Sequence, residues 1–97
     1  MSAPDYDDWA SGVGTDVTLT APNGRTMPLL LNACSTRIAS GEFESYSLTF
    51  SAGPDAPRDQ AVYNLTLDPF DATDVFLVPI ALGDGVTLEA VFNQRRA

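Results

Sequence analysis

Runs of alternating apolar and polar residues recur along this chain, separated by turn signals. Val17, Leu19 and Ala21 alternate with polar residues, and Asn23-Gly24 follows. Tyr46, Leu48 and Phe50 alternate with Ser47 and Thr49; Tyr63, Leu65 and Leu67 with Asn64 and Thr66; Val86, Leu88, Ala90 and Phe92 with the residues between them. A period of two places one face of a strand against a core and the other in water, whereas a helix needs a period near 3.6. Two further strands are expected at 26–34 and 75–82. Between them stand the turns. Asn23-Gly24 is a strong hairpin signal because both residues tolerate positive φ. The stretch 52–59 carries Gly53, Pro54 and Pro57 and cannot continue a ladder. Asp68-Pro69 and Gly83-Asp84-Gly85 turn the chain again.

This pattern predicts an all-β domain over residues 1–97: six antiparallel strands in meander order with short connections. So few residues cannot leave such a sheet flat, and the expected result is a small sandwich or a partly open barrel. Only residues 1–13 read as helical. Pro4 suits a first turn, Asp5, Asp7 and Asp8 favour the positive end of a helix dipole, and Gly12 and Gly14 end the helix. Tyr6 and Trp9, three apart, share one face. Residues 94–97, ending in Arg95 and Arg96, read as a frayed tail.

One strand departs from the alternation. Val75-Phe76-Leu77-Val78-Pro79-Ile80-Ala81-Leu82 is apolar throughout. Pro79 has no N–H to give, which places it at an edge or a bulge. An apolar strand at an edge needs a cover. Two covers are open: the N-terminal helix through Tyr6 and Trp9, or another chain. Leu29-Leu30-Leu31 after Pro28 poses the same question more weakly.

Composition narrows the chemistry. The 97 residues include 13 Asp plus Glu, five Arg as the only cations among Lys and Arg, and no His, for a net charge of -8. Such acidity argues against nucleic acid and against an anionic membrane surface, since both are held by Lys and Arg. Without His or Lys there is no Ser–His or Cys–His pair, no Schiff-base lysine and no histidine metal site. Cys34 is the lone cysteine, so no disulfide is expected, and a core position suits it better than a nucleophile activated by Arg37. Asp5, Asp7 and Asp8 match no calcium loop. Asp71, Asp74 and Asp84 need only turn geometry. No catalytic, cofactor-binding or metal residue is predicted, and no enzymatic activity. The start, Met1-Ser-Ala-Pro-Asp-Tyr-Asp-Asp, has neither a basic nor an apolar signal region, so synthesis in a reducing cytoplasm is expected. No stretch reaches the roughly 18 apolar residues of a membrane span.

The second half carries a set of motifs: Tyr46-Ser-Leu-Thr-Phe50, Gln60-Ala-Val-Tyr63, Phe76-Leu-Val-Pro79 and Glu89-Ala-Val-Phe-Asn93. Over residues 43–93 this resembles a small uncharacterised bacterial family carried as a domain of unknown function. Ala61 stands where that family usually has Gly, and Leu88 where it usually has an aromatic residue. The family offers no catalytic residues to carry over. Its genes often neighbour phage-tail-collar-like proteins, so the resemblance implies a phage-derived or tail-like context and incorporation into a virion or tail-like particle. Tyr63, Phe76, Val78 and Phe92 read as core residues, and Gln60 and Asn93 as polar strand ends. The expected role is a non-enzymatic structural or adaptor module of a tail or fibre assembly, acting through contacts with a tail or fibre protein, with a homo-oligomer left open. The alternatives are a soluble assembly chaperone for a tail fibre and a carbohydrate-binding surface domain, which exposed aromatics on a flat sheet would support; Trp9, the only Trp, reads instead as a packing residue.

Overall fold

A computed structural model describes residues 2–95. Helix α1 covers Tyr6–Ser11, followed by strands β1 (Asp16–Thr20), β2 (Thr26–Cys34), β3 (Ile38–Ser40), β4 (Phe43–Ala52), β5 (Ala61–Thr66), β6 (Thr73–Leu82) and β7 (Val86–Arg95). The six expected strands are present. The short β3, which no alternation announces, is added beside β4.

All pairings are antiparallel, and the ring β1–β2–β4–β7–β6–β5 closes on itself through β1–β5 and β2–β4. The fold is therefore a closed six-stranded barrel with one extra strand and one short helix, where the sequence left open a sandwich or a partly open barrel. Closure satisfies strand edges that an open sheet would expose.

The order is not one meander. β1, β2 and β4 form one three-stranded meander and β5, β6 and β7 another, joined by their first strands and by their last strands. β4 and β5 stand on opposite sides of the ring, so the loop 53–60 crosses the barrel end. Its prolines prevent a hairpin there, and Ala56, 6% exposed, packs with the core. The Tyr63 hydroxyl donates to the Asp59 carbonyl at 2.9 Å and fixes the far end of the loop.

The middle strand of each half changes partners along its length. β2 pairs with β1 over 26–30 and with β4 from Leu30 onward. β6 pairs with β5 over 73–77 and with β7 from Val78 onward. Each holds one extra residue, Asn32 in β2 and Ile80 in β6, where the register shifts. A bulge bends and twists its strand, which is what a barrel corner requires. Pro79 lies directly beside the bulge, in accord with its missing N–H.

Inward positions are apolar on every barrel strand, among them Val17, Leu19, Leu31, Phe50, Leu65 and Leu77, each 0% exposed. Among the described residues no polar or charged side chain is buried. Each fully buried side chain of this size contributes roughly 1.5–3 kcal/mol.

The turns refine two expectations. In the first hairpin only Gly24 takes positive φ, 86°, and Asn23 instead accepts from the Arg25 N–H through its side chain at 3.0 Å. At the other tight connection a Cβ on Gly85 would stand 2.5 Å from the Ala52 carbonyl oxygen, so the β6–β7 hairpin requires glycine there. Strand β7 runs on through Arg95 because it pairs with β4 down to Phe43↔Arg95, where the sequence predicts a frayed tail over 94–97. Arg96 and Ala97 lie outside the described residues.

Candidate functional site

The helical end carries most of the sequence-predicted acidic residues. Asp5 is the N-cap of α1: its side chain accepts from the Asp8 N–H at 2.9 Å, and Asp8 accepts from the Asp5 N–H at 3.0 Å. This reciprocal pair satisfies two donors that a helix start leaves free. Asp7 lies in the same first turn. Asp8, Asp16 and Asp68 line a shallow depression of about 290 Å³ floored by Leu67 and Phe70. No group of three acidic or thiol side chains among the described residues is placed to hold a metal ion. Asp71 uses its N–H to donate to the Ser2 carbonyl at 3.2 Å. Asp84 sits in the β6–β7 turn.

The aromatic face of α1 does not cover β6. Trp9, 1% exposed, lies edge-on to Phe50 of β4 and beside Phe92 of β7, both at 6.3 Å between centroids. Tyr6 meets Tyr46 edge-on at 4.9 Å, and Tyr46 stacks on Phe92 at 4.8 Å. The Tyr6 hydroxyl donates to the Ser35 carbonyl at 3.2 Å. The helix thus stoppers the barrel with its rings against β4 and β7 and its backbone beside β2. Buried Trp9 presents no face for a sugar ring. Burial, with the carboxylates of Glu44 and Asp5 and the Cys34 thiol adding to it and Arg37 opposing, pushes the Tyr46 phenol up to about 12.

Cys34 is only half-buried against the core, not enclosed as the sequence reading expected. Cys34 still pairs with Leu48 of β4, but β1 no longer flanks this end of β2, and its last side chains are partly in water. Burial raises the thiol pKa, which works against a nucleophile. Arg37 is engaged elsewhere, 3.5 Å from Glu44 and over the Tyr6 ring. Arg95 lies 3.6 Å from Glu42 at the surface.

The feature that the fold itself leaves unexplained is the outer face of β5, β6 and β7. Phe76 is 50% exposed, which corrects its expected place in the core: Val75 and Leu77 point inward, and alternation turns Phe76 out. Val78, on the same outer row, is half-buried; Tyr63 is buried, and Phe92 packs partly buried against the core. Directly across from Phe76 stands Val62 of β5, 57% exposed. Across from Val78 stands Glu89 of β7, and two residues on is Val91, 65% exposed. Asp74, two residues before Phe76, accepts from the Asn64 side-chain amide at 3.2 Å. The result is an apolar strip, Val62–Phe76–Val78–Val91, with Asp74 and Glu89 at its margins. Gln60 and Asn93 are exposed.

A family model described as Domain of unknown function (DUF6916) matches residues 4–92. The chain belongs to that family. No curated protein and no solved structure matches it. The DUF6916 match begins ahead of α1 and takes in β1 and β2, so it reaches well beyond the motifs of the second half. Of those motifs, Phe76-Leu-Val-Pro79 divides its residues between the two sides of the barrel wall, with Leu77 inside and Phe76 outside.

Val62 and Val91 escaped the sequence reading, yet both carry a signal. Each takes a position that alternation assigns to a polar residue, between Ala61 and Tyr63 and between Ala90 and Phe92. Isolated apolar residues of this kind are ordinary on a surface. Only the pairing of β5 with β6, and of β6 with β7, gathers them on one face.

Proposed function

We propose that this chain is a non-enzymatic adaptor or structural module of a phage-like tail or fibre assembly, and that it docks a protein partner through the outer face around Phe76. The exposed cross-strand pair Val62–Phe76 carries the reading. Barrel closure and core packing need neither side chain outside, and contiguous exposed apolar surface commonly marks a contact site. The tail context comes from the family resemblance of the second-half motifs. The absence of His and Lys from the sequence supports a non-enzymatic role.

The test is affinity purification of the tagged chain from its native host, with stoichiometry by mass spectrometry, alongside Phe76→Asp and Leu77→Asp. Stoichiometric recovery with tail or fibre proteins is expected for the wild type. Phe76→Asp is expected to remain folded and lose the partner. Leu77→Asp, at a fully buried site, is expected not to fold. A folded Phe76→Asp variant that retains the partner overturns the assignment of the face. Co-purification from lysate with near-zero content in finished particles replaces the structural role with that of an assembly chaperone.

A further inference from the structure

The strip around Phe76 has a charge pattern as well as an apolar centre, and the two together define what fits it. Asp74 and Phe76 lie on the same face of β6, two residues apart, with Val78 next in the row. Glu89 and Val91 follow the same spacing on β7. Carboxylates therefore stand at two margins of the strip. Asp74 has a neutral partner, Asn64, and among the described residues neither Asp74 nor Glu89 is ion-paired. β5 and β6 contain no Arg, and β7 has none before Arg95.

A second copy of the chain fits this face poorly. An isologous contact sets a patch against itself, here between two molecules of net charge -8 with carboxylates bordering both apolar centres. An anionic lipid surface is repelled for the same reason. A partner with apolar side chains flanked by Lys or Arg satisfies both parts of the pattern. Resting on the adaptor reading above, we propose that the occupant is a protein segment that interleaves apolar and basic side chains, its apolar groups seated on Val62, Phe76 and Val91 and its cations on Asp74 and Glu89.

The probe is a short synthetic peptide alternating leucine and lysine, titrated into the isotope-labelled full chain and followed by amide chemical shifts. Peptides alternating leucine with glutamate and serine with lysine are the controls. Expected are shifts centred on Val62, Phe76 and Val91 with the leucine–lysine peptide only. Phe76→Ser should weaken binding about tenfold, as for a central contact residue. Asp74→Asn and Glu89→Gln should each weaken it roughly two- to fivefold and flatten its salt dependence, as for exposed ion pairs. No binding of the leucine–lysine peptide, or shifts centred instead on Asp5, Asp7 and Asp8, overturns the proposal. Loss on Phe76→Ser, with the two carboxylate variants neutral and the leucine–glutamate peptide bound equally, overturns the cationic partner and leaves the docking face standing. Indifference to Phe76→Ser removes both. Self-association of the wild type through this face in sedimentation velocity, abolished by Phe76→Ser, assigns it to a second copy and overturns the proposal.

Discussion

β2 and β6 occupy the same place in the two halves of the barrel and do the same mechanical work. Each is the middle strand of a meander, each carries a proline, and each uses one bulged residue to turn from one neighbour to the next. Their inner residues are interchangeable in kind: Leu29 and Leu31 in one, Val75 and Leu77 in the other, all buried. Their outer residues differ. β2 exposes Leu30 and then becomes polar at Asn32, while β6 exposes Phe76 and, at the bulge, Ile80. Since the same corner is built with and without an apolar exterior, turning the corner does not explain the exterior of β6. A strand's inside answers to the fold, and its outside answers to whatever meets it.

The largest effect that separates the two sides should come from the stopper. Trp9→Ala removes a buried indole from contact with Phe50 and Phe92 and should cost about 3–5 kcal/mol in urea unfolding. If α1 serves the β4–β7 side, as the ring contacts indicate, a Trp9→Ala variant that stays folded keeps its Phe76 surface intact. Increased exposure of Phe76 in that variant would tie the helix to β6 after all.

The inner equivalence is next. Leu31→Ala and Leu77→Ala, both at fully buried positions, should each cost about 2–5 kcal/mol. Denaturant midpoints that fall for one variant and not the other would break the parallel between the two corners.

Alkaline pH tests the aromatic cluster that distinguishes the β4–β7 side. Tyr46 ionises near 10 when unfolded and near 12 when folded, so the folded state holds its proton longer. Its contribution is fully present below about pH 10 and is lost as pH rises toward about 12. Thermal unfolding across this window should fall less steeply for Tyr46→Phe than for the wild type. Equal slopes would show that the phenol is not desolvated in the folded state.

The smallest stability change should be the most informative about the outer faces. Leu30→Ser and Phe76→Ser replace side chains that are 40% and 50% exposed, and each should change stability by under about 1 kcal/mol. Partner binding should be lost for Phe76→Ser alone. Equal loss from both variants would erase the difference between the strands.

Much of this fold could be read from local chemistry. Period two marked the strands, Asn23-Gly24 and Gly83-Asp84-Gly85 marked hairpins, and the acidic start with Gly12 marked a short helix, all within a few residues of the observed elements. The bulge beside Pro79 was legible because proline lacks a donor wherever it sits. β3 was not legible, since three exposed residues, Ile38, Ala39 and Ser40, carry no inside–outside pattern. Neither was the candidate face. Phe76 lies within an unbroken apolar run, in which inward and outward positions look alike.

What the sequence determined alone is therefore the set of elements and the barrel's apolar lining, because alternation and turn propensity act over a few residues of chain. The tertiary structure decided the rest: that β5 returns to β1 and β7 to β4, that Trp9 stoppers the barrel rather than shielding β6, and that Val62, Phe76 and Val91 share a surface. Those outcomes depend on contacts between residues distant in sequence, set by the bulges and by the loop across the barrel end, and no local pattern encodes which strand will lie beside which.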